Sequence, residues 1–387
     1  MEIKTPIYLD YNATSPCDPR VVEAMLPYFS IHFGNAASRD HAFGWMANDA
    51  VELAREQVAT LIGAKAKQIT FTSGATEAIN LAIKGTAEAN ETKGKHIVTS
   101  KVEHKAVLDT CAYLEAKGFR VSYLDVDRDG YINLEKLEGA ITDETIMVAL
   151  MYANNETGVI NPVKAIGDIT RRHQIPFICD ATQAVGKVPI EVEREGIDML
   201  AFSAHKLYGP KGVGALYVRK GEPKVNLMPQ QHGGQHEKGN RSGTLNTPAI
   251  VGFGKAASLC MQLMQEDQER LKKMRDQLEK DLLETIPGSR RNGGEERLAH
   301  VTNLYFPQVE GERLLLSLSK HLAASRGSAC SGNTQRPSHV LLAMGLSAKD
   351  ANHSIRISLG RFTTADEIKY ALFRIKESME LAAIMHN

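Results

Sequence analysis

The stretch Asp198-Met-Leu-Ala-Phe-Ser203-Ala-His205-Lys206 ends a short apolar run in a hydroxyl, an imidazole and an amine. Continuous apolar character from Met199 to Phe202 predicts a strand covered on both faces, and Gly209-Pro-Lys-Gly212-Val-Gly214 marks a turn beyond it. Desolvation at the end of such a strand favours a neutral amine, which is a nucleophile toward an aldehyde. Taken alone, a lysine there is more simply a surface residue opening a glycine-rich turn. A second apolar run, Ile175-Pro-Phe-Ile-Cys, closes in Asp180 and is followed by Ala-Thr-Gln183. A third, Gln68-Ile-Thr-Phe71, leads through Thr72-Ser73-Gly74-Ala75-Thr76-Glu77 into the helical pattern Ala78 to Ile83. Strand, small polar turn and helix start make an anion cradle, in which backbone N–H groups, the helix dipole and the Thr76 hydroxyl suit a phosphate. An ordinary helix cap is the plainer reading of that turn.

Two neighbouring strands ending in Asp and Lys suit pyridoxal 5'-phosphate (PLP), with Asp180 holding a protonated pyridine nitrogen and Lys206 forming the imine. The blocks Tyr8-Leu-Asp10-Tyr-Asn-Ala-Thr14, Thr72 to Glu77, Glu103-His104-Lys105, Asn154-Asn155-Glu156-Thr-Gly158, Asp180 to Gln183, Ser203 to Lys206, Arg241-Ser-Gly-Thr244, Gly327-Ser-Ala-Cys330 and Ile355-Arg356-Ile-Ser-Leu-Gly360 occur in order. With them the chain resembles the cysteine desulfurases of the nitrogen-fixation and iron–sulfur-cluster type, within the class V aminotransferases and the aspartate-aminotransferase fold of PLP enzymes. The resemblance implies an α/β fold with a large domain around a mostly parallel sheet and a smaller α/β domain. It implies that Ala75, Thr76, Ser203, His205 and the partner subunit's Thr244 hold the cofactor phosphate in a homodimer. His104 would stack on the ring and move protons with Lys206, and Gln183 would bond the phenolic oxygen. Arg356 would grip the carboxylate of L-cysteine, assisted by Asn155. Cys330 would take the substrate sulfur as a persulfide, L-alanine would leave, and the sulfur would pass to an acceptor protein such as an iron–sulfur cluster scaffold. A selenocysteine lyase or another class V aminotransferase would share Lys206 and Asp180 without strict need of Cys330. A non-enzymatic PLP-binding protein on the same fold is a further alternative, against which Lys206, Cys330 and Arg356 together count.

The elements that must position these groups follow from the rest of the chain. At 387 residues, two domains or one enlarged α/β domain are expected, and 43% apolar residues suffice for a core. Strand and helix signals alternate, with helices expected over Val21 to Phe29 and Gly44 to Ile62, and strands over His96 to Ser100 and Ile146 to Met151. After Gly252 a charged amphipathic helix from about Ala256 to Thr285 suggests passage into a smaller domain. The resemblance makes that domain discontinuous: residues 16–255 would form the large domain, and 1–15 with 256–387 the small one bearing the cysteine loop. Alternation over Ser354 to Leu359 puts Arg356 on one face of a strand, with Arg361 a competitor for the same carboxylate.

Lys plus Arg and Asp plus Glu both number 46, so bulk charge recruits neither DNA nor an anionic membrane. Five scattered cysteines without a Cys-x-x-Cys argue against a zinc knuckle or disulfide framework, and a reducing cytoplasm is expected. No basic n-region opens the chain and no apolar stretch reaches membrane-spanning length, so a soluble, unprocessed protein is expected. No metal site is expected. Asp125-Val-Asp127-Arg-Asp129-Gly130 begins like a calcium loop but carries Lys136 at its twelfth position, where a Glu is needed. His232 and His236 bracket Gly233-Gly234, which disfavours a zinc helix, and Gly209 to Gly214 is followed by Ala215 where a phosphate loop needs lysine. The small residues around Cys330 suit a sulfur carrier that travels, although a buried structural cysteine is the bland alternative. By the resemblance this is the long-loop group, which hands sulfur directly to a scaffold. Arg326 stands where the family usually has serine, and its charge could lower the thiol pKa or restrict the loop.

Overall fold

In the computed structural model the described residues are 3–222, 224–327 and 336–384. The strands are β1 (Ile7–Tyr8), β2 (Ile69–Thr72), β3 (His96–Ser100), β4 (Arg120–Leu124), β5 (Thr145–Met151), β6 (Phe177–Asp180), β7 (Met199–Ser203), β8 (Gly214–Val218), β9 (Arg290–Arg291), β10 (Val301–Tyr305), β11 (Leu322–Ala323) and β12 (Ser354–Ser358). Seven of them form one sheet in the order β2-β8-β7-β6-β5-β3-β4. Only β8 runs against the others, pairing antiparallel with both β2 and β7. The remaining six strands therefore end at one edge. β5, β6 and β7 are buried along their whole lengths, as their unbroken apolar sequences require of strands covered on both faces.

Alternation along β7 sends Leu200 and Phe202 into one core with Phe177 and Phe253, and Met199 and Ala201 into the opposite one with Ile79, Ile97 and Met147. A third core joins Ile7 and Leu9, from the beginning of the chain, to Leu278, Leu304, Ile355 and Ile375 near its end. Beside it lies the antiparallel sheet β12-β10-β9, in which Arg356 pairs with Asn303.

Several boundaries differ from the sequence expectation for physical reasons. The helix expected over Val21 to Phe29 is two pieces, Pro19–Met25 and Pro27–Ser30, with Pro27 starting the second. The long helix begins at Thr247, capped by Asn246, rather than near Ala256. Gly252 and Gly254 lie inside it because other helices approach closely: a Cβ on Gly252 would sit 2.5 Å from Met25 Sδ, and one on Gly254 would sit 2.6 Å from Ala54 Cα. Gly214 is a close-approach glycine too, since a Cβ there would lie 2.6 Å from the Gly74 backbone. It lets β8 run against the turn after β2.

Candidate active site

The shared strand edge opens on a cavity of about 420 Å³. Ten sequence-predicted residues line it: Ala75 and Thr76 after β2, His104 after β3, Asn155 after β5, Asp180 and Gln183 at and after β6, Ser203, His205 and Lys206 at and after β7, and Arg356 from β12. This is the carboxyl edge where parallel sheets place ligands, here next to the antiparallel strand that interrupts the parallel order.

At the β2 side, the helix Ala75–Asn90 starts with no side-chain cap from Gly74. Its first N–H groups lack intrahelical acceptors and aim an unscreened positive dipole end at the cavity. A Cβ on Gly74 would meet only Ser203 Oγ, at 3.8 Å, so the cradle keeps open space between these two residues. His205 joins from the other wall; its Nδ1 lies 3.0 Å from Thr14 Oγ1, and burial pushes its pKa down to about 4. The imidazole is neutral at neutral pH. Glu77, also on the cavity wall, is balanced by Arg241 Nε at 2.8 Å and by the Ser73 N–H, and ends below its ordinary pKa despite burial. Open space, free N–H groups and neutral hydroxyl and imidazole donors fit a phosphate.

The middle of the site fits a pyridine ring. Asp180 Oδ1 accepts from Thr182 Oγ1 at 2.5 Å and from Thr182 N at 3.0 Å, which fixes the plane of the carboxylate. His104 caps its helix, with Nδ1 accepting from Ala106 N at 3.0 Å, and also lines the cavity. Capping the helix leaves the ring on the cavity wall. Burial lowers its pKa, so the neutral ring carries its proton on Nε2. The preceding residue, Glu103, is completely buried: Oε1 accepts from Ser100 Oγ at 2.7 Å and from Met151 N at 3.0 Å, Oε2 has no partner among the described residues, and burial raises the pKa to about 8. The side chain is therefore a neutral acid tying the ends of β3 and β5 together.

Lys206 Nζ donates to the backbone oxygens of Asn12, at 2.5 Å, and Ala13, at 2.7 Å. Arg356 is only 2% exposed; one terminal nitrogen donates to Asn155 O at 2.8 Å and the other to Asp10 Oδ1 at 2.6 Å. Its Nε has no partner among the described residues. A guanidinium has five N–H bonds, so donors remain for a carboxylate. Arg361, the competitor, is held elsewhere by Asp18 and Asp267.

Cys330 lies outside the described residues, but Gly327, three positions before it, lines the cavity. Arg326 is turned to the helix Gly311–Leu318, where it pairs with Glu312 at 3.1 Å. Thr244 is exposed and does not line this cavity, while Arg241 in the same loop contacts Glu77. Sequence reasoning gave no role to Asn12, Thr182 or Lys211, all on the cavity wall. The first two lay within quoted blocks, yet amide and hydroxyl side chains carry no signal of their own.

The chain belongs to the aminotransferase class-V family, whose model matches residues 7–371. Among its relatives is the cysteine desulfurase IscS of Anaeromyxobacter sp. (strain Fw109-5), 52% identical over 382 residues that cover 97% of this chain and 93% of that protein. The cysteine desulfurase IscS of Neisseria meningitidis (serogroup C, strain FAM18) is 51% identical, with coverage of 98% and 93%. A solved NifS-like protein superposes with a TM-score of 0.91 at 38% identity, covering 97% of this chain and 100% of that one. A solved SspA in complex with cysteine gives a TM-score of 0.81 at 38% identity, with coverage of 92% and 99%. The fold is thus that of class V PLP enzymes. Among the described residues no helix is long and apolar enough to cross a membrane.

Proposed function

We propose that this protein is a cysteine desulfurase that converts L-cysteine to L-alanine and carries the released sulfur on Cys330. The observation that bears most weight is the convergence of Lys206, Asp180, Arg356 and Gly327 on one cavity. PLP, when bound, supplies an electron sink conjugated to the substrate nitrogen.

Ala75, Thr76, Ser203 and His205 hold its phosphate, with Thr244 of the partner subunit completing the cradle in a homodimer. Lys206 would anchor the cofactor at its aldehyde and, with His104, would move protons. Asp180 keeps the pyridine nitrogen protonated, and Gln183 donates to the phenolic oxygen. Arg356 binds the substrate carboxylate, and Asn155, whose backbone oxygen already accepts from Arg356, assists. The Cys330 thiolate attacks the substrate sulfur; an S–S bond forms as the Cβ–S bond breaks, the electron pair remains with Cβ, and that carbon gains a proton to become the alanine methyl. An acceptor protein then takes the persulfide sulfur, with an iron–sulfur cluster scaffold the favoured class.

Residues 16–255 are assigned to the large domain and 1–15 with 256–387 to the small one; the third core, which unites both chain ends, supports a discontinuous small domain, while Ala256, Ala257, Leu259 and Cys260 still pack in the first core. Incubating the purified protein with L-cysteine and measuring alanine together with protein-bound persulfide tests the function. Equal yields in a single turnover are expected, and alanine without persulfide points to a lyase.

A further inference from the structure

Behind Gln183 lies a small second cavity of about 30 Å³, lined in part by Lys187, Lys206 and His300. Lys187 Nζ donates to Gln183 Oε1 at 2.9 Å, and Gln183 Nε2 donates to Asn12 O at 2.9 Å. That same oxygen accepts from Lys206. The Asn12 side chain continues the network, with Nδ2 donating to Asn155 O at 3.1 Å and Oδ1 facing His300 Nε2 at 2.7 Å. Gln183 is only 5% exposed. Lys187 as a residue keeps some exposure, yet its amine is desolvated, and burial followed by the neighbouring Lys206 pushes its pKa down to about 7.

A carboxamide has two senses that differ by a half turn, one presenting N–H groups and the other an oxygen. An amine fixed behind Gln183 at its oxygen selects the first sense. One N–H then goes to Asn12 O, and the second remains for the main cavity, whose wall Gln183 helps to form. Without that amine only the contact with Asn12 O opposes the turn that would offer lone pairs to an anionic oxygen.

We propose that Lys187 is a positioning residue of the cofactor site, holding the Gln183 carboxamide so that an N–H donor always faces the bound cofactor's phenolic oxygen. This rests on the reading that PLP occupies the main cavity. Lys187 touches neither cofactor nor substrate; it acts through Gln183.

The test titrates apoprotein with PLP and follows the visible absorption band in the parent, Lys187→Met, Lys187→Arg, Gln183→Leu and the Lys187→Met/Gln183→Leu double variant. Loss of one orienting hydrogen bond predicts about tenfold weaker binding and a displaced absorption maximum for Lys187→Met. Lys187→Arg, which keeps a donor, should stay within about threefold of the parent. In the Gln183→Leu background, Lys187→Met should add nothing, because its effect passes through that amide. The proposal is overturned if Lys187→Met binds like the parent with an unmoved band, or if its full effect persists without Gln183. Should Lys187→Met not fold, Lys187→Arg decides: a retained band and affinity support the proposal, and a tenfold loss in a folded protein contradicts it. A parent that takes up no PLP defeats the cofactor reading itself, a result distinct from either.

Discussion

Replacing Arg356 by lysine keeps the positive charge and removes the fork. In the parent two terminal nitrogens are anchored on Asn155 O and Asp10 Oδ1, so the guanidinium plane is set before substrate arrives and its remaining N–H groups converge on the cavity. A lysine reaches less far and offers a single point charge that must choose between Asp10 and a substrate carboxylate. The loss amounts to about one charge-assisted hydrogen bond in a buried site, roughly 2–3 kcal/mol. That corresponds to about a 30- to 150-fold fall in kcat/KM for L-cysteine. The carboxylate does not change during the reaction, so the grip is equal in ground and transition states and the loss should appear mainly in KM. Steady-state alanine formation over a range of L-cysteine concentrations measures it, alongside PLP content. A kcat/KM within threefold of the parent, or loss of the visible band together with activity, would refute the assignment of Arg356 to substrate.

Lys206→Ala should abolish the visible band of the bound cofactor, and borohydride treatment of the parent should fix PLP on Lys206; mass mapping to Lys211, which lines the same cavity, would refute this. Glu103→Gln tests the buried neutral acid. Its folded pKa of about 8 lies above the unfolded value, so the folded protein binds the extra proton and the stability of the parent falls as pH rises from about 4.5 to about 8. An amide does not titrate, so relative to the parent the variant should gain on the order of 3–5 kcal/mol between pH 4.5 and pH 8, read from denaturant unfolding. Parallel pH profiles would contradict it. Thr244 is expected to act across a dimer interface, and a monomeric protein with full PLP occupancy in sedimentation would exclude that role.

The strand ends were legible because they are local. Apolar runs stopping at Asp180 or Ser203 declare both a buried strand and the place where it meets solvent, and parallel pairing gathers those stops at one edge. Less local features were hidden. Gly252 and Gly214 read as punctuation, but they answer to Met25 and Gly74, which are brought near only by the tertiary fold. Asn12 is a hub because its backbone oxygen meets Lys206 and Gln183, and no sequence pattern reports where a carbonyl points. Lys187, four residues after Gln183, had no helical period to suggest that the two side chains meet, since the segment is a succession of turns. Arg326 was visible as a departure from the family's serine, but its partner Glu312 lies on a separate helix.

Sulfur is proposed to leave the substrate by way of Cys330. The most direct test is Cys330→Ser, with alanine, sulfide and protein-bound persulfide measured after L-cysteine is added to parent and variant. PLP binding and the spectral response to L-cysteine should survive, because Lys206 and the Arg356 grip are untouched, while persulfide vanishes and alanine formation collapses, since a serine hydroxyl cannot accept the sulfur. Alanine and sulfide production close to the parent's would contradict the account and favour a lyase that expels sulfur without the thiol.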